Sequence, residues 1–256
     1  MSTPTPATTP GIIRIGCAGW SVPKQSSHRF PAEGSHLERY AGVLPTVEIN
    51  SSFYRPHQPK TYARWADSVP EDFRFSVKVP RTITHDARLR DIAEPLARFA
   101  GEAGALERKL GCLLVQLPPK LAFDGGVASA FFARLRESFG SHPNCQLVCE
   151  ARHPSWFTDE VTGLLTAHGI TRVIADPPKG QPGPHVPTTQ AIYARLHGSP
   201  RVYYSPYDTE YLLQLGSDMA THARAGRDVW IIFDNTLSPT FMDEVLTARA
   251  AALAAL

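Results

Sequence analysis

The sequence predicts a closed (β/α)8 barrel of the TIM type. Eight short β-rich runs alternate with amphipathic stretches, and such alternation gives a parallel sheet with right-handed crossovers. Eight units in about 245 residues suit closure better than an open sheet. No G-x-G-x-x-G or G-x-x-x-x-G-K-[ST] sequence follows the first run, so dinucleotide-binding and P-loop folds lose support.

The runs are Ile12–Gly16, Thr46–Asn50, Phe73–Val79, Cys112–Leu117, Gln146–Glu150, Thr171–Asp176, Ile192–His197 and Val229–Asp234. Ser35 can cap a helix through Leu37, Tyr40 and Ala41, and Pro59 can open one containing Tyr62 and Trp65. Leu89 to Leu110 places Ile92, Leu96, Phe99, Ala103 and Leu106 at helical spacing. Further helices are predicted over Val127–Phe139, Thr158–His168 (closed by Gly169), Thr209–Ala225 and Phe241–Leu256, the last with Ser238 as cap and Pro239 at its first position. Pro177–Gln190 is too rich in proline and glycine for a helix, so a loop stands in place of the helix after strand six.

Met1–Pro10 is rich in Thr and Pro and has no apolar segment. It reads as the main part of a disordered tail over residues 1–11, ahead of one barrel domain at 12–256. Lys and Arg total 26 against 24 Asp and Glu, a net charge of +2, which is not the footprint of a protein that binds duplex DNA by bulk charge. No run approaches the roughly 20 apolar residues needed to span a bilayer. Cys17, Cys112, Cys145 and Cys149 show no C-x-x-C spacing, so reduced core thiols and a cytoplasmic location are expected.

Strand side chains alternate between faces, and the outer face of a barrel must be apolar to pack on helices. Val47 and Ile49 therefore point out, and Glu48 and Asn50 point in. By the same parity Ser76, Lys78, Gln116, Glu150, Arg152, Arg195 and His197 face inward, while strands six and eight end at Asp176 and at Asp234–Asn235. These polar residues sit at carboxyl ends of strands, the mouth where (β/α)8 barrels carry their active sites. Glu48 and Lys78, on adjacent strands, are an expected ion pair.

The linked motifs GCAGW (Gly16–Trp20), VEINSSFYRP (Val47–Pro56), FRFSVKVPRTITH (Phe73–His85), LLVQLPP (Leu113–Pro119), CEARHPSW (Cys149–Trp156), YARLHGS (Tyr193–Ser199) and IIFDNT (Ile231–Thr236) resemble the domain-of-unknown-function 72 family, the YecE-like proteins, over nearly the whole chain after the tail. The resemblance implies a TIM-like barrel in a cytosolic bacterial protein and no particular activity. The family motifs fall on Glu48, Asn50, Phe53, Tyr54, Lys78, His85, Gln116, Glu150, Arg152, His153, Trp156, Asp176, Arg195, His197, Gly198 and Asn235. The chain departs from the family in its first loop, where His28 and Arg29 stand in place of Tyr and Trp, and at Asp234, where Asn is frequent.

The expected function is that of an enzyme acting on a phosphorylated or carboxylated small molecule. Glu48, Lys78, Glu150 and His197 are the candidate catalytic residues, with a glutamate as general base and His197 as acid or stabiliser. Asn50, Tyr54, His85, Gln116, Arg152, Asp176, Arg195 and Asn235 are the candidate substrate contacts. Arg195 is expected to hold the anion, with Gly198 leaving room for it; Asp176 is the protein carboxylate that otherwise neutralises Arg195. The loops His197–Arg201 and Asp234–Pro239, with the following helix N-terminus, are the expected phosphate site. No cofactor and no metal is predicted. One alternative is a metal-dependent phosphoesterase or nuclease using Glu48, Glu150, Asp176 and His197, with Trp20, Phe53, Tyr54 and Trp156 stacking on nucleotides. The other is a ligand-binding module without turnover.

Overall fold

The computed structural model describes residues 9–256. The predicted tail therefore lies mostly outside the described residues. The strands are β1 (Ile13–Ala18), β2 (Thr46–Ile49), β3 (Arg74–Lys78), β4 (Leu110–Gln116), β5 (Gln146–Glu150), β6 (Ile170–Arg172), β7 (Ile174–Asp176), β8 (Ile192–Leu196) and β9 (Val229–Phe233). They form one nine-stranded parallel sheet in the order β6-β5-β4-β3-β2-β1-β9-β8-β7. The sixth predicted run is thus two short strands. Ile170–Arg172 pairs with β5, Ile174–Asp176 pairs with β8, and Val173 joins them, so the barrel is completed along the chain itself.

The helices are α1 (His36–Ala41), α2 (Ser51–Tyr54), α3 (Pro59–Asp67), α4 (Ala93–Ala103), α5 (Gly125–Ser138), α6 (Asp159–Ala167), α7 (Thr209–Arg224) and α8 (Phe241–Ala254). Ser35 closes a capping box with Glu38 at the start of α1, and Thr158 caps α6. The long predicted helix before β4 is shorter than expected. It spans α4 only and continues as a 3-10 turn (Gly104–Lys109), in which Glu107 takes φ 50° and breaks the helical path. As predicted, the segment between β7 and β8 holds no helix. Thr188 pins that loop to the barrel, accepting from Arg172 N at 2.8 Å and donating to Ile170 O at 2.6 Å.

Alternation divides the core in two. Val47, Ile49, Phe75, Val77, Leu147, Cys149, Ile231 and Phe233 face outward and pack with Leu96, Phe99, Phe131 and Val245 from the helices. Cys112, Leu114, Val148, Val173, Tyr193, Trp230 and Ile232 face inward as an apolar plug. Gly111 sits at the foot of the plug where the β3–β4 register shifts, and a Cβ there falls 2.6 Å from the Trp230 ring. All four cysteines are buried and unpaired, and burial pushes the Cys17, Cys145 and Cys149 thiols up to about 12. No helix among the described residues is long and apolar enough to cross a membrane.

Candidate active site at the barrel mouth

Above the plug, inward positions change from apolar to charged. Arg195, one step beyond Tyr193 in parity on β8, is 0% exposed. Its guanidinium makes four hydrogen bonds: Nε and Nη2 to Glu48 at 3.0 and 2.6 Å, Nη1 to Glu150 at 2.6 Å, and Nη2 to Asp234 at 3.0 Å. Burial opposes its charge, but the three carboxylates outweigh burial and hold it charged. Tyr193 donates its hydroxyl hydrogen to Glu48 at 2.8 Å, so Ser76, 2.6 Å away, donates to Tyr193.

His197 lies between two of the same carboxylates. Its Nδ1 donates to Asp234 at 2.9 Å, and its Nε2, with no hydrogen-bond partner, is 3.5 Å from Glu150 Oε1. Burial opposes protonation, yet Asp234 and Glu150 prevail and raise the imidazole above its ordinary range. For Glu150 and Asp234, burial likewise works against charge. Arg195 first, and His197 after it, hold both carboxyls below the usual range.

Two inward cations stand nearer the opening. Arg152 clamps Glu150 Oε1 with Nε and Nη2 at 2.7 and 2.6 Å, which leaves Nη1 without an acceptor among the described residues. Lys78 is 8% exposed, with its ammonium 4.3 Å from the centre of the Phe53 ring and no carboxylate of the described residues within 4 Å. Burial first, and the Arg195 charge after it, lower the Lys78 amine to about 8 against the pull of Glu48, Asp234 and Glu150. His85 packs its ring on Phe53 at 4.9 Å and bonds Thr84 Oγ1 through Nδ1 at 2.8 Å. Gln116 is buried on β4, level with Glu150 on β5.

The structure thus brings Glu48, Lys78, Gln116, Glu150, Arg152, Arg195 and His197 to one mouth and corrects several other expectations. Glu48 pairs with Arg195 and Tyr193, not with Lys78. Arg195 is enclosed by protein carboxylates and has no edge for a substrate. Asp176 is not its partner: the register pairs Asp176 with outward Leu196, and its carboxylate accepts from Tyr211 at 3.1 Å. Asn235 also points outward, donating to Glu244 at 2.8 Å and to Ser205 O at 3.2 Å. Tyr54 is 73% exposed, edge-on to Phe53, and does not join the cluster. Asn50 stands at the cap position of α2 with a buried, unpartnered Oδ1. Trp156 is packed in the outer core, its indole N–H on Leu121 O.

The expected phosphate site in the loops after β8 and β9 is already filled. α8 begins at Phe241, the first residue of the predicted run, but Thr240 and not Ser238 stands at its cap, and the buried carboxylate of Glu244 in its first turn accepts from Asn235, Ser238, Thr240 and the Tyr207 amide. Gly198 adopts φ 86°, and the space beside it holds Ser205 O, 2.7 Å from a Cβ built there. The glycine serves the turn, not a ligand.

One residue of the mouth escaped the sequence reading. Tyr203, 39% exposed and at φ 73°, folds back so that its amide reaches His197 O and its ring stands 6.2 Å from the imidazole. It lies outside any strand, so parity says nothing about it. A cavity of about 740 Å³ opens at the other end of the barrel, lined among others by Arg14, Arg74, Gln146 and Trp230. Volume alone is a poor guide here: the buried carboxylate–imidazole pairs and the unpaired amine are all at the mouth. No group of three or more His, Cys, Asp or Glu among the described residues is arranged to hold a metal ion.

A parallel barrel with a titratable cluster at the carboxyl ends of its strands defines the class: a TIM-type α/β barrel. The chain belongs to the family described as "Protein of unknown function DUF72", which matches residues 14–250. It is 31% identical over 229 residues to the UPF0759 protein YecE of Escherichia coli K12, covering 86% of this chain and 80% of that one. A DUF72 family structure from Enterococcus faecalis superposes with a TM-score of 0.78 at 21% identity, over 94% of this chain and 96% of that one. A sugar phosphate isomerase/epimerase from Parabacteroides distasonis shares the fold, with a TM-score of 0.53 at 12% identity, over 98% and 96% of the two chains.

Proposed function

We propose that the mouth binds a small molecule carrying a phosphate or carboxylate group and acts on it as an enzyme. One observation carries this reading: the charges are layered. Glu48 and Glu150 lie deepest, 0% and 2% exposed and turned onto Arg195, while Asp234, 8% exposed, keeps Oδ1 as the one oxygen of the three carboxylates without a donor among the described residues. The cations with donors to spare, Lys78 and Arg152, lie above Glu48 and Glu150. An incoming ligand therefore meets N–H donors beside a single free carboxylate oxygen, and a planar guanidinium edge suits phosphate or carboxylate.

Lys78 is the group with chemistry to offer, because a partly desolvated amine that titrates near 8 can exchange a proton at neutral pH. The His197 and Arg195 networks below it fix its surroundings. The isomerase/epimerase likeness supports the barrel only, and the substrate class rests on the charge layering. Thermal melts with inorganic phosphate and with citrate test the reading. Wild type is expected to melt higher as either anion is added, and Arg152→Met to lose most of that response. A wild-type melting temperature unmoved by either anion at tens of millimolar defeats it.

A further inference from the structure

We propose that Lys78 is an amine nucleophile, and that the mouth takes an anionic aldehyde or ketone whose carbonyl condenses with Lys78 while Arg152 holds the anionic group. This rests on the anion reading of the mouth and adds the functional group on which the protein acts.

The placement of Lys78 is that of a reactive lysine and not of a structural one. It ends β3 at the catalytic rim, inward-facing and nearly enclosed. Buried lysines ordinarily hold a carboxylate. Three carboxylates are near enough for their charge to act on Lys78, yet each is turned onto Arg195, and Glu150 onto Arg152 as well. What Lys78 has instead is an aromatic face, Phe53, and a neighbouring cation, Arg195. Desolvation beside a second cation is the arrangement that frees an amine at moderate pH. With the group lowered to about 8, roughly a tenth of it is uncharged at pH 7.

The step is balanced without an oxidant or reductant. The Lys78 nitrogen lone pair attacks the carbonyl carbon, the C=O π pair moves to oxygen, and a proton passes from nitrogen to that oxygen, giving a carbinolamine. The nitrogen lone pair then forms C=N as the protonated hydroxyl leaves as water. His85 is suited to relay the proton. It shares the Phe53 ring with Lys78, keeps Nε2 free of protein partners, and is held neutral by burial and by the charges of Lys78, Arg81 and Arg152.

Pyridoxal 5′-phosphate, an aldehyde bearing a phosphate, serves as the probe. The folded protein is incubated with it at pH 7.5, reduced with borohydride and peptide-mapped, with phosphate-free pyridoxal as a parallel arm. The expected result is about one label per chain, on Lys78, ahead of the exposed Lys24, Lys60, Lys120 and Lys179. Arg152→Met is expected to slow Lys78 labelling by the phosphorylated probe at least about tenfold more than it slows labelling by pyridoxal. Lys78→Met, checked for folding by its melt, is expected to lose that label. Labelling confined to the exposed lysines overturns the nucleophile. If inorganic phosphate or citrate still raises the melting temperature in that case, the anion reading survives; if neither does, both fall.

Discussion

Arg195 and Lys78 are both cations buried in the mouth, and their surroundings give opposite consequences for removing them. Arg195 holds three carboxylates, so Arg195→Met leaves buried Glu48 with no cationic partner and takes one from Glu150 and from Asp234; a cost of about 3–5 kcal/mol is expected in urea unfolding. Lys78 has no acceptor, and its charged form carries a desolvation penalty, so Lys78→Met is expected to raise stability by on the order of 1–3 kcal/mol at pH 7. A loss of stability in Lys78→Met contradicts the assignment of the amine as unpaired. Parity in the sequence located both residues at the mouth. It did not give their partners, because contacts across a barrel interior depend on the relative height of strands distant in sequence. Tyr203 was hidden because it lies outside any strand, and Asn235 was misplaced because it stands one residue past inward-facing Asp234, on the opposite parity.

At the scale of elements, the sixth stave is the weak point of the barrel. β6 and β7 are three residues each, and each pairs on one side only. Where other staves are backed by a helix, this one has the loop pinned by Thr188, whose hydroxyl joins a buried amide to a buried carbonyl. Thr188→Val keeps the shape but leaves Arg172 N and Ile170 O unpaired. Each such loss costs about 1–3 kcal/mol, and the variant is expected to show it in unfolding and in faster amide exchange at Arg172. A neutral Thr188→Val puts the pinning role aside. The missing helix was legible from the prolines of residues 177–190. The split at Val173 was not, since the composition of Thr171–Asp176 is that of one strand. Nor was the early end of α4, where Glu107 takes a left-handed φ that its residue type does not announce.

For the whole molecule, the layered charges predict how stability varies with pH. Glu150 and Asp234 have lowered carboxyl pKa values, so their contribution is complete above the unfolded carboxylate range near 4 and is lost as pH falls through their folded values. His197 is raised, so its contribution is complete below the unfolded imidazole value near 6.5 and is lost as pH rises through its folded value. Lys78 has the opposite sign: its penalty is present below about 8 and is relieved between there and the ordinary lysine value of 10.5. Stability is therefore expected to rise from acid to about pH 5, hold to about 6.5, descend as His197 deprotonates, and recover part of the loss above 8. His197→Gln removes the titrating imidazole and should abolish the descent while keeping the acid limb. Urea unfolding of wild type and His197→Gln from pH 4 to 9 reads both limbs. Equal slopes above pH 6.5 in the two proteins mean that the imidazole is not charged between Asp234 and Glu150 in the folded state. The charges that hold the mouth carboxylates are then those of Arg195 and Arg152.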